Sequence, residues 1–234
     1  MKLGIMQPYV FPYIGYFQLI SAVDKFVIYD DVNFIKQGWI NRNRILSNNG
    51  PIFFTIPLNS AGSFVLIRDI HLSRDGYHAW LTKFYKTLAQ YYRKAPQYET
   101  VLPLIREILD NNPEYIAAVA TRSIKLICSY LGINTEFTDT ATVYKNSHLK
   151  AQERVIDICR QESATKYINS IGGIELYSRD CFQAEGIGLE FIKPGEITYC
   201  QYNQPFVPWL SIIDVLMFNT PKEIRLLLTN YDLV

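Results

Sequence analysis

Four short stretches concentrate side chains able to do chemistry. The first is IMQPYVFPYIGYFQLI, Ile5 to Ile20, which sets Gln7, Pro8, Tyr13, Gly15 and Tyr16 between an apolar run and a helical pattern. In open α/β sheets ligands gather beyond the carboxyl ends of strands, and the first strand-to-helix turn offers backbone donors and a helix N-terminus to an anion. Gln7 would leave the strand end with an amide that donates and accepts, and Gly15 would let a ligand or a neighbouring backbone come close. The plainer reading has Pro8 and Pro12 stiffening an ordinary loop while the tyrosines pack with wet hydroxyls.

The second stretch, DDVNFIKQGWINRNRI, puts Lys36, Arg42 and Arg44 near Asp30 and Asp31, with Asn41 and Asn43 as neutral hydrogen bonders. An arginine fork suits phosphate or carboxylate and a lysine adds a point charge, while alternation along a strand would set Arg42 and Arg44 on one face. The same residues could instead form surface ion pairs worth roughly 0–1 kcal/mol each. The third is YINSIGG, a strand ending in Asn169 and Ser170 ahead of Gly172 and Gly173, which repeats a strand-to-helix anion site or is a plain glycine-bearing loop. In the fourth, YCQYNQPFVPWLSIIDVLMFN, Gln201, Asn203 and Gln204 lie beside Phe206 and Trp209, a polar edge next to aromatic faces as in sugar or base platforms. Pro208 and Ser211 there would equally serve a helix entry.

The elements that must position these residues read as α/β. Lys2 to Met6, an amphipathic Tyr13 to Val23 and Lys25 to Tyr29 make a βαβ opening. Asn43 to Leu46 and Ile52 to Pro57 flank Asn49-Gly50, an edge β-hairpin signal. Helical spacing then covers Tyr77 to Tyr92, Glu99 to Leu109 and Pro113 to Leu131, with Pro113 expected in a first turn. Alternation resumes with strands at Thr135 to Thr138, Lys166 to Asn169 and Leu189 to Ile192, a helix at Lys150 to Gln161, and a short one at Ile174 to Ser178. Helical patterns at Trp209 to Met217 and Pro221 to Leu228 close the chain. The expectation is a mostly parallel sheet in a single domain over residues 1–234, with a helical subdomain at about 76–132. Gln7, Gly15, Lys36 and Ser170 are expected around one concave pocket at its carboxyl edge.

Composition narrows the function classes. The chain has 234 residues, 49% hydrophobic and 19% charged, with a formal charge of +1. That balance argues against a disordered tail or an electrostatic nucleic-acid clamp. Cys128, Cys159, Cys181 and Cys200 lie far apart and read as reduced thiols; His71, His78 and His148 have no metal-ligand spacing. No P-loop, GxGxxG or GxSxG pattern is present. Without a signal peptide or membrane-span pattern, the expected location is cytoplasmic.

Taken together, MQPYVFPYIGYFQLI…VDKFVIYDDVNFIKQGWINRNRI, YINSIGG and FVPWLSIIDVLMFN closely resemble the WbqC-like family over nearly the whole chain. The resemblance implies a bacterial surface-polysaccharide (O-antigen) biosynthesis protein, and a transferase acylating an amino sugar with an amino acid. The chain is also similar, more distantly, to HxGH-type nucleotidyltransferases, which implies a Rossmann-like topology. Tyr13-Ile14-Gly15-Tyr16 falls where that tetrad stands, and YINSIGG near a serine-bearing phosphate motif. Both histidines are tyrosine here, so the hydroxyls could donate to a ligand but bring no positive charge at pH 7. The similarity makes Tyr13, Tyr16 and Lys36 the catalytic candidates, with both tyrosines expected to face the pocket. With the four stretches above, Gln7, Pro8, Gly15, Asp30, Asn41, Arg42, Arg44, Ser170, Gly172, Gly173, Gln201, Asn203 and Trp209 are the expected binding set for a nucleotide or amino-sugar substrate. An acyl-adenylate route would call for ATP with magnesium. The alternative is a non-catalytic module that binds a nucleotide sugar or scaffolds glycan enzymes, with a homo-oligomer open in either case.

Overall fold

The computed structural model of the protein describes residues 1–59, 62, 64–202 and 205–234. The chain begins with β1 (Lys2–Met6), α1 (Ile14–Ala22) and β2 (Lys25–Ile28), then β3 (Arg42–Ser47) and β4 (Gly50–Thr55). Helices α2 (Arg74–Tyr92), α3 (Tyr98–Leu109) and α4 (Ile116–Leu131) follow, as the helical spacing predicts. The remainder is β5 (Glu136–Thr138), α5 (Ala151–Gln161), β6 (Lys166–Ser170), α6 (Arg179–Ala184), β7 (Gly188–Pro194), α7 (Ile212–Phe218), α8 (Pro221–Leu228) and β8 (Tyr231–Leu233).

Six strands form one sheet in the order β5-β2-β1-β6-β7-β8. Every pairing is parallel except β7 with the short edge strand β8. The order reverses at β1, with β2 on one side and β6 on the other, which is the Rossmann-like arrangement and opens a crevice at the strands' carboxyl ends. Alternation gives the sheet two apolar faces. Leu3, Ile5, Val27, Tyr167, Leu189 and Phe191 pack with α5 and α6, whereas Phe26, Ile28, Ile168 and Ile192 share a cluster with α1, α7 and the helices α2 to α4.

Helix α1 differs from the amphipathic expectation. Ile14 to Ile20 are all buried, including Gln18, whose Nε2 donates to the Leu227 and Asn230 carbonyls at 2.9 and 2.8 Å. A helix apolar all round is a core helix, and the chain at and just after the end of α8 takes both donors of its single interior amide, whose buried Oε1 has no partner. The hairpin forms, but as a separate two-stranded sheet rather than an edge of the main one. Its loop is Asn48-Asn49, and Gly50 follows at φ +99°, a conformation only glycine adopts without strain. Pro113 precedes α4 instead of entering its first turn, and Pro103 lies inside α3. No helix of the described residues is long and apolar enough to cross a membrane.

Candidate functional site

Tyr13 ends the turn after β1 as the N-cap of α1, with extended backbone, while no side chain caps the helix and no acidic residue sits in its first turn. The free N–H groups and positive dipole end of α1 are therefore left for another acceptor. Gly15 is glycine for a local reason: a Cβ there would lie 2.3 Å from the Tyr13 ring, which folds across the helix start. The sequence expectation that Gly15 admits a ligand is thus corrected, since the tyrosine itself fills that space.

Two cavities meet at this helix start. One, of about 310 Å³, is lined by Tyr9, Pro12, Tyr13, Trp39, Asn43, Arg44 and Trp209. The other, of about 450 Å³, runs from Tyr13 and Ile14 along residues 194–199, beyond the carboxyl end of β7, to Phe206, Pro208 and Trp209. Tyr13 and Trp209 line both and stand with ring centroids 5.9 Å apart, so this aromatic pair is the wall that the two halves of the cleft share. Trp209 holds φ +61° and is 60% exposed, a strained and wet position for a tryptophan. Its carbonyl accepts from Arg44 Nη2 at 3.0 Å, which fixes it against the hairpin.

The smaller cavity collects donors. Arg44 Nε is buried with no hydrogen-bond partner, and the hydroxyls of Tyr9 and Tyr13 have none among the described residues. Burial pushes both tyrosines above their ordinary pKa, with each other's proximity adding to the shift at Tyr9, so both keep their protons and donate. Neutral donors, one guanidinium and an uncapped helix N-terminus favour an anion bearing several acceptor oxygens. The larger cavity is mainly apolar and suits a ring. Glu196 and Arg44 are the charged side chains among the residues that line the two cavities.

Of the residues the sequence marks, Tyr13, Arg44 and Trp209 come together here, and several others do not. Tyr16 is 1% exposed and its hydroxyl donates to the Gln7 carbonyl at 2.9 Å, so it closes the turn from inside the core rather than facing a ligand. Arg42 shares the strand face of Arg44, as alternation requires, but its Nε donates to the Gly38 carbonyl at 3.0 Å and its Nη2 to that of Gln37. Lys36 is exposed on that loop and lines neither cavity. Asn41 donates to the Ile56 carbonyl and closes the open end of the hairpin, whereas Asn43, which lines the smaller cavity, donates to the Phe11 carbonyl and ties the hairpin to the body. Pro8 is buried in the turn, and the half-buried Gln7 and Ser170 line neither cavity. Gln7, Gly15, Lys36 and Ser170, expected around one pocket, line neither cavity, whereas Tyr13, Arg44 and Trp209 do.

Asp30 accepts from Thr140 Oγ1 and Ala141 N at 2.8 and 3.1 Å, and burial raises its carboxyl above the usual range; it anchors the turn after β5. Gly173 is required by the Asn169 amide, 2.5 Å from where its Cβ would stand, while Gly172 is exposed over open space. Gln201 is 1% exposed, donating to Asp214 Oδ2 at 2.6 Å and accepting from Val207 N at 2.7 Å, so it is structural. Asn203 and Gln204 lie outside the described residues. Among the described residues no group of three or more His, Cys, Asp or Glu could hold a metal ion.

The model of the WbqC-like protein family matches residues 7–226. The chain belongs to the WbqC-like family. The match spans every residue lining the two cavities, from Tyr9 to Val215. This WbqC-like chain is also 32% identical over 225 residues, 95% of each chain, to an uncharacterized protein, Rv1507c, of Mycobacterium tuberculosis (strain ATCC 25618 / H37Rv). No solved structure matches it. Within this WbqC-like site, Tyr9, Trp39 and residues 194–199 are the contributors that the sequence reading did not mark. The one local signal for the last is another glycine-bearing loop directly after a parallel strand.

Proposed function

We propose that the cleft binds a nucleotide sugar, its phosphates at Tyr9, Tyr13, Arg44 and the start of α1 and its nucleoside or sugar ring in the larger cavity. The observation that carries this reading is a cavity lined by Arg44 and by two tyrosines whose hydroxyls have no partner, at a helix start that no side chain caps. The resemblance to a family associated with O-antigen gene clusters supplies the class of ligand. On that reading the protein acts in bacterial surface-polysaccharide synthesis as a transferase that acylates an amino sugar with an amino acid. The amine nitrogen forms the amide as the acyl bond to a phosphate leaving group breaks, and Glu196 is the carboxylate available to take the amine proton. Donors at the cleft fit the phosphates of ATP; magnesium finds only Glu196 as a carboxylate there, so no step is assigned to it.

A second reading, a non-catalytic nucleotide-sugar-binding module, is favoured by the neutral tyrosines at the HxGH-like positions. Thermal shift against ATP with magnesium, CTP, and UDP- or dTDP-amino sugars separates the readings. Stabilisation by ATP with magnesium supports ligation, and stabilisation by the sugar nucleotide alone supports simple transfer or binding. Arg44→Lys is expected to weaken UDP-amino-sugar binding by about 1.5–3 kcal/mol, because the charge stays but the planar fork is lost. Equal affinity of wild type and Arg44→Lys would show that the fork holds only the hairpin.

A further inference from the structure

Large apolar side chains crowd the surface of one part of the chain. Phe64 is 91% exposed, Phe53 56%, Ile35 55% and Trp39 40%. Phe34 N donates to the Val65 carbonyl and Ile67 N to that of Val32, on either side of a bridge between Asn33 and Leu66. This antiparallel register brings Ile35 opposite Phe64. Ile35 then opens a turn that Gly38 N closes on its carbonyl, with Gln37 at φ +60°. Arg42 donates to the Gln37 and Gly38 carbonyls and stands 5.0 Å from the centroid of Phe53, which stacks on Trp39 at 6.2 Å. The four side chains therefore follow one another along a continuous rim, beside the smaller cavity that Trp39 helps to wall. Charge along this rim has one sign. From Val32 to Arg68 the sequence carries Lys36, Arg42, Arg44 and Arg68 and no acidic residue, so all 22 acids of the chain lie outside it. Lys36, exposed in the turn, has no ion-pair partner among the described residues.

We infer that this rim is a docking edge that seats the protein on an anionic phospholipid surface. The inference stands independently of the reading of the cleft as a nucleotide-sugar site. Single apolar side chains on a surface are ordinary, but a group of them marks a contact. Ile35 and Phe64 carry no polar atom in their side chains and suit the boundary between headgroups and acyl chains, while Trp39 and Phe53 suit the interfacial level where aromatic rings collect. Lys36, Arg42 and Arg44 supply the attraction to anionic headgroups. Carbonyls already take donors of both arginines, but that attraction depends on their charge. A nucleic acid fits the rim less well. Trp39 and Phe53 stack on each other and an arginine stands over each, which leaves no free ring face for a base. A second copy fits less well too, because an isologous pairing would bring the same cations together with no acid between them.

The test is flotation with vesicles of phosphatidylglycerol and phosphatidylethanolamine, with vesicles of phosphatidylcholine alone as the neutral control. Wild type should float with the anionic vesicles, come off as salt is raised, and bind the neutral ones about tenfold more weakly. The double variant Ile35→Ser/Phe64→Ser, at two exposed positions, should bind the anionic vesicles about tenfold more weakly with an unchanged melting temperature, and Lys36→Glu should weaken binding as well. Tryptophan emission of wild type should shift to the blue on the anionic vesicles, and Trp39→Phe should lose most of that shift. No flotation of wild type with anionic vesicles, or flotation unchanged in Ile35→Ser/Phe64→Ser, overturns the docking edge. Binding of a single-stranded oligonucleotide that Lys36→Glu abolishes, without vesicle binding, would overturn it in favour of a nucleic acid. A dimer in sedimentation velocity that Ile35→Ser/Phe64→Ser dissolves, again without vesicle binding, would overturn it in favour of a second copy.

Discussion

Arg154→Met is expected to destabilise the protein by about 3–5 kcal/mol, the cost of leaving a buried charge without its partner. Arg154 and Asp31 have side chains 4% and 5% exposed and meet at 2.5 Å. The arginine also donates to Asn146 Oδ1 and lies over the Tyr29 ring, tying the end of β2 to the first turn of α5. Asp31 Oδ1 already lacks a partner, so nothing nearby would take over when the guanidinium goes. The double variant Asp31→Leu/Arg154→Met should recover most of the loss, because a buried ion pair contributes little net stability over a well-packed apolar pair. Urea unfolding of the single and double variants measures this. A single-variant cost below about 1 kcal/mol would mean that water reaches Asp31 after all.

Asp214→Ala is expected to cost roughly 3 kcal/mol or more, since buried donors at roughly 1–3 kcal/mol each lose their acceptor. Asp214, fully buried in the first turn of α7, accepts from Tyr92 and Tyr199 hydroxyls at 2.7 Å and from Gln201 Nε2 at 2.6 Å. Tyr92 in turn accepts from Leu46 N, so one carboxyl joins α7, α2, the hairpin and the wall of the larger cavity. Burial raises the Asp214 carboxyl above its usual range, outweighing the three hydrogen bonds that favour the carboxylate. The folded state therefore holds the proton to higher pH than the unfolded chain does. Its contribution to stability declines as pH rises from the unfolded value of about 3.9 through the folded one. Stability against pH should show that decline in wild type and less of it in Asp214→Ala, and parallel curves would refute the assignment.

Much of the scaffold was legible because its determinants are local. Lys2–Met6 and Pro221–Leu228 have the bounds the patterns indicate, the latter set by Thr220 and Glu223 as a capping box with proline entering the helix. The edge strand β8 and the short helix α6 escaped notice because three and six residues carry no period to read. At the site, Tyr13, Arg44 and Trp209 were visible as chemistry at a strand end, on a strand face and before a helix. Tyr16 misled because a tetrad pattern treats two tyrosines three residues apart as equivalent. Tyr13 is extended and outside the helix, whereas Tyr16 lies inside a helix buried on every side. Arg42 misled because its carbonyl partners belong to a loop whose path no pattern reveals. Tyr9, Trp39 and residues 194–199 meet only through the tertiary fold. Asp214, the lone acid in the apolar run SIIDVLMF, did carry a signal, because a charge in a core segment must find donors.

The most direct measurement of the central claim is calorimetric titration of UDP-N-acetylglucosamine into wild type, Tyr13→Phe and Tyr16→Phe. The Tyr13 ring and its seat over Gly15 survive the change, so only the unpartnered hydroxyl is removed. Affinity should fall by about 1.5–3 kcal/mol, the range for a hydrogen bond to a charged group, or roughly tenfold and more, with the melting temperature unchanged. Tyr16→Phe, whose hydroxyl is taken by Gln7, should leave affinity intact. Equal affinity in wild type and Tyr13→Phe would contradict an anion held at the start of α1.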